Sequence, residues 1–202
     1  MRIAYRPPVP TDLFSRVNDV AVGTPWLQGP MTAYASLGLM LFAALLLLGW
    51  WVARDRDDRT MASALLAPVV AVVAVVLQQP VIAWAGHPRP FVVHPDALVL
   101  VARSADASFP SDHACVVGAV TAALFFVDRR LAFVSALLAL LMAFARVYVG
   151  AHWPADVVAG LLFGAGVATV VMLLLRTPVS RLVARARETR LATVLGAEPV
   201  PA

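Results

Sequence analysis

The 202-residue chain contains no lysine and a single cysteine, and only 14% of its residues are charged. One cysteine excludes an intrachain disulfide and any Cys-rich metal cluster. The shortage of charge, with 61% hydrophobic residues, excludes a disordered chain. It also departs from ordinary soluble domains, which are about 25% charged and 45–50% apolar. All sixteen basic residues are arginines and the net charge is +4, but a composition this apolar does not describe a nucleic-acid binder. The length fits one domain.

What the chain has instead is long apolar runs. A bilayer-spanning helix needs about 20 mostly apolar residues. Met31 to Ala53, Met61 to Ala85 and Val157 to Leu175 supply 23, 25 and 19 residues without a charge. Ala114 to Val127 (14 residues) and Leu131 to Ala145 (15 residues) are shorter. They reach spanning length if their polar ends, Ser111 to His113 and Arg146 to Gly150, extend the helices. The fold class expected is therefore all-α, a membrane bundle of about five spans. The first run starts too late, and without a basic flank or cleavage site, for a signal peptide. Upstream, Leu13, Phe14, Val17, Val20 and Ala21 recur at helical spacing across residues 11–22. This describes an interfacial amphipathic helix or a terminal loop. Three regions follow: residues 1–30 as an extracytoplasmic segment, 31–176 as the transmembrane domain, and 177–202 as a basic cytoplasmic tail.

The arginines set an orientation, because cytoplasmic loops collect basic residues. Arg54, Arg56, Arg59, Arg129, Arg130, Arg176, Arg181, Arg185, Arg187 and Arg190 fall on one face of the five-span arrangement. Arg2, Arg6, Arg16, Arg89, Arg103 and Arg146 fall on the other. The face with ten is expected to be cytoplasmic and the N-terminus outside.

The chemistry-bearing residues gather on the outer face. All four histidines, His87, His94, His113 and His152, lie there with Arg89, Arg103, Arg146, Asp112 and Asp156. Ionisable groups at membrane depth are costly and usually functional. Histidine and arginine without Cys or Glu favour anion chemistry over metal binding, since arginine matches phosphate oxygens with a planar fork. In Gly86-His87-Pro88-Arg89-Pro90, two prolines fix the direction of Arg89, which otherwise reads as a snorkelling side chain. In Ser108-Phe109-Pro110-Ser111-Asp112-His113, Ser111 is a candidate N-cap. The unpaired N–H groups that follow form an anion site, or the stretch is a plain cap. Pro154 suits a first helical turn. It places His152 before the last span and Asp156 within its first turns. This is either a histidine with its orienting carboxylate or a structural hydrogen bond. Gly160-x3-Gly164 is a candidate helix-packing face.

Together these segments resemble the type 2 phosphatidic acid phosphatase (PAP2) superfamily. The family pattern reads Lys-x6-Arg-Pro, then Pro-Ser-Gly-His, then Ser-Arg-x5-His-x3-Asp. This chain has Arg89-Pro90, Pro110-Ser111-Asp112-His113, and Arg146, His152 and Asp156 at the family spacing. It departs at Ile82 (Lys), Asp112 (Gly) and Ala145 (Ser). The surrounding string is similar to the bacitracin-resistance type of undecaprenyl pyrophosphate phosphatase, in which Ser-Phe-Pro-Ser-Asp-His is usual.

The resemblance implies a lipid phosphatase at the outer face of a bacterial plasma membrane, acting on a polyprenyl diphosphate. His152 is the implied nucleophile, Asp156 its orienter and His113 the acid and base. Arg89, Ser111, Asp112 and Arg146 are the implied phosphate contacts. Asp112 is expected to bind N–H groups of its own turn or pair with Arg103. No cofactor, metal or nucleic-acid partner is implied. Alternatives are another lipid phosphatase of the superfamily, acting on phosphatidylglycerophosphate, phosphatidic acid or a polyprenylphosphoryl sugar phosphate. Outside catalysis, the alternative is a transporter or scaffold.

Overall fold

The computed structural model describes residues 11–189 and 192–196, so the expectations placed on Arg2, Arg6, Arg190 and the chain ends lie outside the described residues. The described residues form helices and connecting turns. In order they are α1 (Thr11–Gly23), α2 (Pro25–Leu37), α3 (Leu39–Ala53), α4 (Asp58–Ala85), α5 (Pro90–Val93), α6 (Asp112–Phe125), α7 (Arg129–Tyr148), α8 (Pro154–Arg187) and α9 (Ala192–Leu195).

Local chemistry starts and stops these elements. Asp57 caps α4 by accepting from the Thr60 N–H at 2.8 Å. Asp128 caps α7 by accepting from Arg130 and Leu131 N–H at 2.9 and 3.1 Å. Pro154 opens α8, and Gly86, at φ 56°, closes α4. Each cap satisfies backbone groups that a helix end leaves unpaired.

The bundle is inverted relative to a soluble protein. Many of its buried residues are small, and many of its large apolar side chains face outward. Ala67, Ala71, Ala74, Ala119, Ala123 and Ala168 are buried, whereas Leu47, Leu137, Leu140, Leu162, Leu173 and Leu174 are more than half exposed. Small interior residues let backbones approach closely, and lipid replaces water around the leucines. α6 sits at the centre, packed on α4, α7 and α8. Most of its residues are buried, including Cys115, Val117, Ala119 and Leu124.

α4 together with α5, α7 and α8 are long and apolar enough to cross a membrane. α2 and α3 do so only as a pair bent by 52°. The run from Met31 to Ala53, expected as one span, is therefore broken. The break falls at Gly38, whose lack of a side chain admits Met142 Cε; a methyl there would lie 2.6 Å from it. α6, at 14 residues, is shorter than a full span and is enclosed by its neighbours. α8 runs unbroken through residue 176 to Arg187. At 1.5 Å per residue its 34 residues reach about 51 Å, well past a hydrocarbon core of about 30 Å.

α1 is helical as expected, but its stripe is rotated. Phe14, Asn18 and Ala21 are buried, and Leu13 and Val20 are each 49% exposed. Asn18 turns inward because its amide pairs with the Leu98 backbone, donating to the carbonyl at 2.9 Å and accepting from the N–H at 3.0 Å. α1 thereby braces the loop that follows α5.

Candidate active site

The end of the bundle that holds the α4 and α7 C-termini and the α6 and α8 N-termini carries the polar cluster. His152 lies in the turn between α7 and α8. Gly150 makes that turn at φ 75°, where an added Cβ would collide with the Leu98 backbone. Glycine is thus required twice over at this position. The turn delivers a His152 that is 3% exposed and an Asp156 that is 1% exposed.

His152 Nδ1 lies 2.9 Å from the Ser108 carbonyl oxygen. A carbonyl only accepts, so Nδ1 carries the proton and Nε2 holds the lone pair. Nε2 faces the Arg89 guanidinium, with Nη1 at 3.4 Å. Burial pushes the imidazole pKa below its ordinary value. The nearby Arg146 and Arg89 charges act in the same direction, while Asp156 opposes them. At neutral pH the ring is therefore uncharged, with a free lone pair on Nε2.

Asp156 lies beside the His152 ring, within ion-pair distance. Its Oδ2 is 3.6 Å from His152 Nδ1, beyond a hydrogen bond. The carboxylate instead accepts from Ser108 Oγ and from the Trp153 N–H at 2.9 Å. The second contact is also the helix cap, since Asp156 reaches back one turn to the N-cap residue.

Arg89 is 8% exposed. It is aimed by backbone carbonyls, with Nε donating to Asp106 at 3.0 Å and Nη1 to Ala151 at 3.1 Å. Arg146 comes from α7 and donates from Nη1 to the Ala35 carbonyl at 3.3 Å. Ser111 is the N-cap of α6 and is fully buried. Its own N–H is held by the Asp156 carbonyl at 3.0 Å. Among the described residues neither Ser111 Oγ nor Arg146 Nε has a hydrogen-bond partner. His113 opens α6, partly buried and close enough for the charges of Arg146 and Arg89 to act on it. Asp112 is exposed at the rim. It does not pair with Arg103, whose guanidinium lies over the Phe91 ring at 5.5 Å. It accepts from Gln78 Nε2 at 2.6 Å.

The seven residues singled out from sequence thus meet at one end of the bundle. His87 and His94 stay in the surrounding loops: His87 packs on Phe109 at 5.1 Å, and His94 lies edge-on to Trp153 at 5.7 Å. Sequence reading missed two residues. Ser108, fully buried, touches both His152 and Asp156. Gln78, fully buried on α4, holds Asp112. A pair of glutamines, Gln78 and Gln79, inside a charge-free span was the available signal for the second. Ser108 opens the Ser-Phe-Pro-Ser-Asp-His string, but spacing alone assigned it no partner.

Trp153 ties this site to its surroundings. Its indole N–H donates to the Pro88 carbonyl at 2.9 Å, and its ring packs on Phe14 of α1 at 5.1 Å. Among the described residues no three His, Cys, Asp or Glu side chains are gathered as metal ligands.

A sequence profile described as the PAP2 superfamily matches residues 63–179. The undecaprenyl-diphosphatase BcrC of Bacillus subtilis is 27% identical over 150 residues, covering 74% of this chain and 76% of the relative. A lipid A 1-phosphatase of Rhizobium johnstonii is 51% identical over 65 residues, 31% of this chain and 26% of the relative. The crystal structure of Aquifex aeolicus LpxE superposes with a TM-score of 0.65 at 23% identity. It covers 86% of this chain and 99% of that one.

Proposed function

The chain belongs to the PAP2 superfamily and is a multi-pass membrane lipid phosphatase of that family; we propose that it hydrolyses undecaprenyl diphosphate to the monophosphate and phosphate, at the outer face of the membrane. The observation that carries the chemistry is the His152 ring. It is buried and neutral, with Nδ1 donated to the Ser108 carbonyl and Nε2 turned toward Arg89.

In this reading His152 Nε2 attacks the terminal phosphorus. A P–N bond forms as the bridging P–O bond breaks, and His113 protonates the departing lipid phosphate oxygen. His113 then takes a proton from water, the water oxygen attacks the phosphorus, and the P–N bond breaks to restore His152. Charge builds on the equatorial oxygens during transfer. Arg89, Arg146, the Ser111 hydroxyl and the first N–H groups of α6 are arranged to receive it. The unpartnered Ser111 Oγ and Arg146 Nε support this, because buried donors are costly unless an acceptor reaches them. Arginines supply the positive charge here, and we expect EDTA to leave turnover unchanged.

The substrate assignment is supported by the likeness to an undecaprenyl-diphosphatase over 74% of this chain and 76% of that relative. The short, higher-identity match to a lipid A 1-phosphatase favours a second reading, a phosphate on a saccharide lipid. Phosphate release from detergent-purified protein separates them, using undecaprenyl diphosphate, lipid A, phosphatidylglycerophosphate and phosphatidic acid as substrates. We expect the diphosphate to give the highest kcat/KM; preference for lipid A would overturn the assignment. His152→Ala should abolish release. His113→Ala should lower it by about 10²–10⁴-fold, the usual worth of a positioned acid–base. Full activity in either purified variant would sink the mechanism.

A further inference from the structure

Ser108 stands between the nucleophile and its carboxylate. It is fully buried. Its main-chain carbonyl takes the Nδ1 proton of His152 at 2.9 Å, and its hydroxyl donates to Asp156 Oδ2. The same carboxylate oxygen accepts from the Trp153 N–H at 2.9 Å and remains 3.6 Å from Nδ1. Two donors on one oxygen occupy the lone pairs that a direct contact with the imidazole needs.

We propose that Ser108 is a positioning residue that draws Asp156 off the His152 ring and replaces it, at Nδ1, with a neutral main-chain acceptor. This rests on His152 being the nucleophile. The arrangement has a consequence for reactivity. A carboxylate bonded directly to Nδ1 stabilises imidazolium and takes the lone pair of Nε2 out of use at mildly acidic pH. A carbonyl fixes the same tautomer with far less stabilisation of the cation. The carboxylate remains within a few ångströms, near enough to favour the positive ring that forms when Nε2 bonds to phosphorus.

The groups that act on the ring are Arg89 before α5, Arg146 on α7, His113 on α6 and Asp156 on α8. Arg89 and Arg146 disfavour a positive ring and Asp156 favours it, so the distance of Asp156 sets the balance. Removing the Ser108 hydroxyl frees Oδ2 to close on Nδ1. Ser108→Ala should therefore move the acid limb of kcat/KM toward higher pH, by on the order of one unit. Asp156→Asn removes the only negative charge in that set and should move the limb the opposite way. Ser108→Cys, whose thiol donates weakly, should fall between wild type and Ser108→Ala.

The experiment is a pH profile of kcat/KM for purified wild type, Ser108→Ala, Ser108→Cys and Asp156→Asn, with thermal melting of each variant. Opposite limb shifts for the Ser108 and Asp156 variants support the proposal. Shifts in the same direction, or lower activity with an unmoved limb, overturn it. If Ser108→Ala melts too low to assay, Ser108→Cys against Asp156→Asn gives the same test. Turnover by His152→Ala would instead defeat the catalytic reading and leave the geometry around Ser108 untouched.

Discussion

Ile82 and Asp112 stand where the family pattern has lysine and glycine. One positive charge is lost and one negative charge gained, so the anion site is two charges less positive than the pattern. The sequence displays both changes but not their coupling. Gln78 lies one helical turn before Ile82, and residues four apart share a helix face. From that face its amide donates to Asp112 at 2.6 Å. Asp112 is thereby held at the rim, where its charge acts on Arg89. We expect Asp112→Asn to bind the phosphate mimic orthovanadate more tightly. Asp112 is exposed, and exposed pairs are worth about 0.2–1 kcal/mol. The gain should therefore be at most about fivefold in inhibition constant; weaker inhibition of the variant would show that the carboxylate helps hold the anion. The residues that carry charge or titrate near neutrality were legible from sequence because apolar surroundings make them conspicuous. Ser108 and Gln78 were not, because a neutral side chain acquires a role only from what the fold places beside it.

At the scale of the element, the site depends on how closely α8 lies on the start of α6. Gly160 and Gly164, readable as a packing face, meet the α6 backbone. A methyl at Gly160 would lie 2.5 Å from the Ser111 carbonyl oxygen and 2.9 Å from Ala114 Cβ. Ser111, Asp112 and His113 ride on that turn. Gly160→Ala must push α6 away from α8, and misplacement of about 1 Å can cost about 10²-fold in rate. We expect kcat to fall by that order while the variant is still extracted as a folded protein. Near-wild-type kcat would mean that the α6 start is not held by this contact. The positions of the long helices were legible because lipid demands unbroken apolar length. The bend at Gly38 and the continuity of α8 past Arg176 were not, because both are set by neighbours: Met142 fills the space at Gly38, and Arg187 near the end of α8 is anchored to Asp58 at 2.9 Å.

The whole molecule has two chemically different ends. One carries the proposed catalytic cluster and, among the described residues, Arg16, Arg89, Arg103 and Arg146. The other carries Arg54, Arg56, Arg59, Arg129, Arg130, Arg176, Arg181, Arg185 and Arg187. Several of the latter lie on aromatic rings at the helix ends: Arg54 over Trp51 at 4.8 Å, Arg129 over Phe125 at 5.6 Å and Arg176 over Phe126 at 5.7 Å. Such pairs suit a membrane–water boundary, where an apolar ring and a charged head are both accommodated. In the proposed outer-face orientation this arginine-rich end is retained on the cytoplasmic side and the His152 end faces outward. The single cysteine makes this directly testable. Cys115 is buried in α6, and Cys115→Ala gives a cysteine-free background. Arg103→Cys marks the catalytic end and Asp55→Cys the opposite end, both at exposed positions. A membrane-impermeant maleimide applied to intact cells should label the Arg103→Cys protein, and the Asp55→Cys protein only after permeabilisation. The reverse pattern would place catalysis in the cytoplasm, and with it a lipid phosphate presented on the inner leaflet. That outcome would remove the outer-face substrate while leaving the chemistry of His152 intact.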